Sequence, residues 1–289
     1  METSRMIEIG GNKMHIFCAG PGPSASEYRF VFLSGHGTSC PMLDFKPLWH
    51  MLAKQHNITV VEKFGYGLSD ITATPRDMGT VLAEVRKALT QAEIMPPYVL
   101  VAHSLSGMDA LYWAQFFPQE VAAIIGLDPT VPETAKMVKF GLRQKLAIKL
   151  ATRVSRRMSS DTVAIFCGKR YPSYKHPTLT NEDRAMFAEI TRRRTLTQNM
   201  INELRAIKSY VAYVEAQPLP TQTPLLLFSS NFREATKSGM NPDVLLENHR
   251  RTVAEFEKAK HIQLDCGHYV HGYKPQEIVD GIYEFLGYV

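Results

Sequence analysis

Residues 98–102, Tyr-Val-Leu-Val-Ala, have the character of a fully buried strand, and a helical stretch opens at Ser106, only a few residues later. A chain that passes from strand to helix through His103-Ser104-Leu105 has room for one sharp corner. Such a corner would hold Ser104 in a strained backbone conformation with its hydroxyl standing proud of a sheet, and it is tolerated only among small neighbours. Ala102, Ser106 and Gly107 are all small. The helix that begins there would aim its first N–H groups at whatever negative charge develops beside the hydroxyl. A serine that merely caps a helix would fit the same local pattern, so the surroundings must decide.

Those surroundings alternate. Residues 6–9 and 13–19 read as two short strands about the turn Gly10-Gly11-Asn12. Residues 28–33 form a compact apolar strand ending in Ser34-Gly35-His36-Gly37, and 58–61 another, ending in Phe64-Gly65-Tyr66-Gly67. Residues 45–54 have helical spacing. From 77 to 92, Val81, Leu82, Val85 and Leu89 recur at helical spacing before Pro96-Pro97 stops the run. Helix and strand continue to trade places through 106–117, 121–127, 224–229, 261–264 and 275–286. This order predicts an α/β fold with a mostly parallel central sheet flanked by helices, and ligands bind such sheets beyond the carboxyl ends of the strands.

With 289 residues, 45% of them hydrophobic and 21% charged, the chain can bury a large core. Between 132 and 213 the strand signals largely disappear and amphipathic, basic helices take over, among them 135–158 and 181–213. The expected organisation is therefore a core begun by residues 1–130, interrupted by an inserted helical lid over 131–216, and completed by 217–289. The insertion holds 17 lysines and arginines against 7 aspartates and glutamates, an excess of ten positive charges in a chain whose net charge is +5. A solvated helical face accounts for this; attraction of anionic substrates, or weak association with an anionic membrane surface, is the alternative. Nucleic acid is not expected as a partner, because no recognition motif accompanies the charge. Cys18, Cys40, Cys167 and Cys266 are scattered and read as reduced thiols. No segment has the roughly 20 apolar residues of a membrane span, nor the start of the chain the apolar run of a secretory signal, which leads to a cytoplasmic expectation.

The sequence Ala102-His103-Ser104-Leu105-Ser106-Gly107, placed between strand and helix, resembles the nucleophile elbow of the α/β-hydrolase family, with both glycines of the strict G-x-S-x-G motif replaced by other small residues. His36-Gly37-Thr38 resembles that family's His-Gly motif, in which glycine lets the backbone approach and the next N–H faces the substrate oxygen. By that resemblance the N–H groups of Thr38 and Leu105 form an oxyanion hole. The stretch from Glu62 to Ser69 is similar to the family's D-x-x-G-x-G-x-S segment, with Glu for Asp, and is assigned a structural role.

A general base must titrate near neutrality and reach the serine, which favours histidine. Among ten histidines, His268 in Asp265-Cys266-Gly267-His268 lies past the last strand, where the family places its base; His271 is the nearest rival. The acid is less obvious. The family usually carries it after the seventh strand, yet residues 225–233 contain no carboxylate there. Asp128, at the end of strand 121–127, is where some members carry theirs, and it is the expected acid, with Glu234 and Asp243 as alternatives.

The resemblance implies a serine hydrolase with a Ser104-His268-Asp128 triad, an acyl-enzyme and no metal or organic cofactor. Its small-molecule acyl substrate is expected to be a carboxylic ester with a hydrophobic portion, because Met137, Phe140, Leu142, Leu146, Leu150, Phe166 and Phe187 would give the lid apolar surface. Peptidase, amidase or carbon–carbon bond hydrolysis would use the same triad. Haloalkane dehalogenase and epoxide hydrolase chemistry would require an aspartate where Ser104 stands. A non-catalytic ligand-binding receptor or scaffold on the same fold is the reading from another class.

Overall fold

A computed structural model describes residues 1–22, 28–138 and 157–287. Eight strands of this part join in one sheet: β1 (Glu2–Ile9), β2 (Asn12–Ala19), β3 (Arg29–Leu33), β4 (Asn57–Glu62), β5 (Tyr98–His103), β6 (Val121–Leu127), β7 (Leu225–Ser229) and β8 (Ala259–Gln263). Their order across the sheet is β1-β2-β4-β3-β5-β6-β7-β8, with β1 and β2 antiparallel to their neighbours and the rest parallel. The β1–β2 hairpin turns through Gly10 and Gly11, both at positive φ.

The central strands are apolar throughout because both of their faces are covered. Phe30 and Phe32 of β3, with Val99 and Val101 of β5, pack into a core that includes Phe45 and Trp49. The intervening residues Val31, Leu33, Leu100 and Ala102 join a second core with Met108 and Trp113. Alternation thus survives in direction though not in polarity, as in parallel sheets generally.

Several helices depart from the sequence expectation for local reasons. The stretch 45–54 is preceded by a short helix, Pro41–Asp44, and becomes Lys46–Leu52, since Pro47 has no N–H with which to continue the ladder. The run 181–213 divides into Asn181–Arg194 and Gln198–Glu215. Leu196 turns to φ 51° between them, and the Thr197 hydroxyl caps the second helix by accepting from Met200 N–H. Of 135–158, the short helix Pro132–Met137 is seen, and 139–156 lie outside the described residues. Pro242–Ala254 is a further helix, capped by Asn241, that periodicity did not reveal.

Helix Gln198–Glu215 is tied to the core by buried charge. Lys63 Nζ lies 3.5 Å from Asp109 Oδ2 and 3.4 Å from Glu203 Oε2, and the Tyr66 hydroxyl donates to the same Glu203 oxygen at 2.6 Å. Burial disfavours the Lys63 cation, but Glu203 and Asp109 outweigh it and its pKa is raised. Glu62 is likewise built into the fold. Its carboxylate accepts from Met42 and Leu68 N–H at 3.1 and 2.7 Å and meets His15 Nδ1 at 2.9 Å. A Cβ on Gly67 would overlap that carboxylate, so only glycine fits there.

Candidate functional site

Ser104 sits at the corner between β5 and the helix Ser106–Phe116, with φ 54° in the left-handed region. A conformation of this kind costs a non-glycine residue about 1–3 kcal/mol and persists only where the surroundings enforce it. Here they do. Ser104 N–H reaches Leu127 O at 3.4 Å, Ser104 O accepts from Gly107 and Thr130 N–H at 2.9 and 2.7 Å, and the Ser106 hydroxyl donates to Ser34 O at 2.5 Å. A Cβ on Gly107 would lie 2.6 Å from Pro129 Cβ and 2.7 Å from Thr130 O, so the helix start and the turn after β6 are in backbone contact.

That turn carries Asp128, itself at φ 47°. Its N–H donates to Phe228 O at 2.7 Å, and its Oδ1 accepts from Ser230 N–H at 2.8 Å. The other oxygen, Oδ2, lies 2.6 Å from Nδ1 of His268, which comes from the loop after β8. A carboxylate oxygen that accepts here requires the hydrogen on Nδ1, which is the orientation that turns Nε2 away from Asp128. Asp128 is 1% exposed and the imidazole 38% exposed, so a buried carboxyl group holds a ring that solvent reaches.

Ser104, Asp128 and His268 line one cavity of about 340 Å³. Glu234 also lines it, but close to Gly267 and Tyr273, and makes no contact with an imidazole nitrogen. Asp243 is exposed in the first turn of helix Pro242–Ala254, away from the cavity. His271 is fully buried, with Nε2 3.1 Å from Asp44 Oδ2, and the Ser173 hydroxyl donates to Asp44 Oδ1 at 2.5 Å. Behind His268, the His103 ring donates through Nε2 to the His268 carbonyl at 3.2 Å. Burial, reinforced by His268 and His271, holds the His103 pKa well below the ordinary value, so this ring is neutral.

The glycine that touches the elbow is not the one expected. A Cβ on Gly35 would lie 2.5 Å from Ser104 Cβ and 2.9 Å from His103 O, whereas nothing approaches within 4 Å of that position on Gly37, which turns at φ 79°. The N–H that follows the close approach is therefore that of His36 rather than Thr38. Thr38 is 1% exposed, and none of Thr38, His36 and Leu105 is among the side chains that line the cavity; Leu105, the other expected donor, opens the helix after Ser104. The His36 ring is held by a 2.9 Å bond from Nε2 to Met200 O, which joins this loop to helix Gln198–Glu215. The two glycines of Ser34-Gly35-His36-Gly37 are indistinguishable by motif, and only the fold separates them.

The apolar wall also differs from expectation. It comes from Val138, Phe232, Met240 and Leu245. Phe187 is buried in the core against Tyr171, Phe166 faces solvent, and Met137 touches Asn248; none of them lines the cavity. Phe140, Leu142, Leu146 and Leu150 lie outside the described residues. Arg170, at the end of helix Ser160–Arg170, is a wall residue that motif reasoning did not find.

Comparison with known proteins agrees with this architecture. A model of the α/β hydrolase fold matches residues 29–275. The uncharacterised protein YbdG of Bacillus subtilis is 28% identical over 97% of this chain and 85% of its own. Among solved structures, Cfl2 of Burkholderia cenocepacia superposes with a TM-score of 0.70 at 16% identity, covering 98% of this chain and 95% of that one. A loop variant of the haloalkane dehalogenase DbeA from Bradyrhizobium elkanii gives 0.67 at 17% identity, covering 99% and 97%. At such identities the two structures speak to fold alone. The family match, spanning most of the chain and both halves of the sheet, places this protein in the α/β-hydrolase fold family.

Proposed function

We propose that the protein is a serine hydrolase that cleaves a carboxylic ester, or a related acyl compound, with a hydrophobic portion. The observation that carries this reading is the 2.6 Å contact between His268 Nδ1 and the buried Asp128, at a cavity that Ser104 also lines. In the proposed cycle His268 Nε2 takes the Ser104 proton as Oγ attacks the carbonyl carbon. The resulting oxyanion is held by the N–H groups of Leu105 and His36. The imidazolium then protonates the leaving alcohol, and His268 activates the water that hydrolyses the acyl-enzyme. Val138, Phe232, Met240 and Leu245 suit an apolar acyl or alcohol group. An amide or a carbon–carbon bond could enter the same cycle. A carboxylate nucleophile, as dehalogenation or epoxide opening would require, has no counterpart at Ser104.

The segment between β6 and β7 acts as the lid in this reading, and its bonds to Gly37, through the Tyr171 hydroxyl, and to His36, through Met200, would couple its position to the oxyanion loop. Four free cysteines suit a reducing compartment such as the cytoplasm. Among the described residues no helix is long and apolar enough to cross a membrane. The test is labelling with a fluorophosphonate probe beside turnover of p-nitrophenyl esters of rising chain length. The wild type should label and turn over, and Ser104→Ala should do neither; a wild type inert in both assays refutes the proposal.

A further inference from the structure

Arg170 is the single cation, histidines aside, among the described residues that line the cavity. Its guanidinium lies over the face of Tyr269, 5.4 Å from the ring centroid, and Tyr269 directly follows His268 in the chain. Many arginines of this protein have a carboxylate partner: Arg76 pairs with Glu84, Arg86 with Glu120, Arg192 and Arg193 with Glu189, Arg233 with Asp265 and Arg251 with Glu247. Arg170 forms no ion pair with a carboxylate among the described residues; its side chain bonds to that of Tyr171, and Asp44 acts on it only from a distance. The stretch 139–156 that leads towards its helix contains no Asp or Glu at all.

We propose that Arg170 binds a free carboxylate on the substrate, so that the preferred ester carries one negative charge in addition to its reacting carbonyl. The inference rests on the serine-hydrolase reading above. A guanidinium stacked on an aromatic ring is held in orientation, and the N–H groups not engaged with Tyr171 suit the planar, two-point recognition of a carboxylate. Glu234, the other charged wall residue outside the Asp128–His268 pair, neighbours Gly267 and Tyr273 and forms no ion pair with Arg170, so it does not neutralise the cation. The excess positive charge of residues 131–216 would steer such an ester inward. Arg170 also completes the last turn of a helix, where any cation is favourable. That role would appear in thermal stability and would not distinguish substrates.

The test compares matched esters. p-Nitrophenyl hemiglutarate against p-nitrophenyl pentanoate places the charge on the acyl side, and 4-carboxyphenyl butyrate against phenyl butyrate places it on the alcohol side. For the wild type, kcat/KM should favour the charged member of at least one pair. Arg170→Gln should reduce that charged-to-neutral ratio by about ten- to a hundredfold, the range of a hydrogen bond to a charged group, and Arg170→Lys should restore part of it. Calorimetric titration with glutarate gives a readout independent of turnover: the wild type should bind it and Arg170→Gln should bind it at least tenfold more weakly. A ratio that does not move in either pair, or glutarate affinity equal in wild type and Arg170→Gln, overturns the proposal. Fluorophosphonate labelling, read on the same preparations, separates that outcome from failure of the serine-hydrolase reading itself.

Discussion

Replacing Asp128 by asparagine tests the proposed triad at its least obvious member. The substitution keeps the shape of the side chain and an oxygen to accept from Ser230 N–H, so the turn after β6 should survive. What it removes is the anion 2.6 Å from His268 Nδ1. An amide N–H directed at Nδ1 favours the tautomer with hydrogen on Nε2, the nitrogen that must accept the proton of Ser104. The charge lost is worth about 4 kcal/mol for unit charges near 4 Å at an effective dielectric of about 20. Because the imidazole is 38% exposed, solvent screening keeps the electrostatic part at or below this figure. Together with the wrong tautomer, the expected loss in kcat is roughly 10³- to 10⁴-fold, at about 1.4 kcal/mol per factor of ten. Steady-state hydrolysis of a p-nitrophenyl ester, with the melting temperature measured alongside, is the assay. An Asp128→Asn enzyme that melts like the wild type and retains more than a tenth of its kcat would refute the assignment. Glu234→Gln losing more than Asp128→Asn would move the acid to the loop after β7.

Three further outcomes follow from the geometry. Gly35→Ala should abolish turnover and lower the melting temperature, because its methyl would sit 2.5 Å from Ser104 Cβ, whereas Gly37→Ala meets no neighbour and should retain more activity despite its unfavourable φ. Burial, with repulsion from His249 and Arg250, lowers His261 to about 4, so between pH 6.5 and 4 the unfolded chain takes up a proton that the folded one refuses. Stability should therefore fall as pH drops through that window, and urea unfolding of His261→Gln should show a shallower fall; an unchanged slope would count against this. Glu62→Ala leaves the N–H groups of Met42 and Leu68 and the buried His15 without their acceptor, and should destabilise the fold by about 3 kcal/mol or more, seen as a lower denaturation midpoint with little change in KM for the remaining folded enzyme.

The corner at Ser104 was legible because it is local. The strand, the corner at Ser104 and the helix after it lie within about twenty residues, and both the crowding and the small neighbours are written in that stretch. Strands β5 and β6 were legible because both of their faces are apolar over a short length. Elsewhere the deciding contacts cross the fold. Which of Gly35 and Gly37 approaches Ser104 depends on how β3 and β5 align, and Ser34-Gly35-His36-Gly37 does not encode that. The break at Leu196 is one positive φ between Thr195 and Thr197, within a stretch whose apolar spacing runs on through both helices. The apolar wall was sought in the insertion, yet Phe187 had core to fill and the cavity drew on Phe232, Met240 and Leu245 from the region after β7. Arg170 is one basic residue among many in the insertion, and only its place over Tyr269 sets it apart.

The interlock of Gly107 with Pro129 and Thr130 has a bearing on how this scaffold can diversify. Since the corner bearing Ser104 and the turn bearing Asp128 touch backbone to backbone, neither can drift without dragging the other. Ser230 holds Asp128 and Asn241 caps the next helix, but Phe232, Ala235 and Met240 between them line the cavity, so libraries confined to these three positions would reshape its wall while the corner and the turn stay in register.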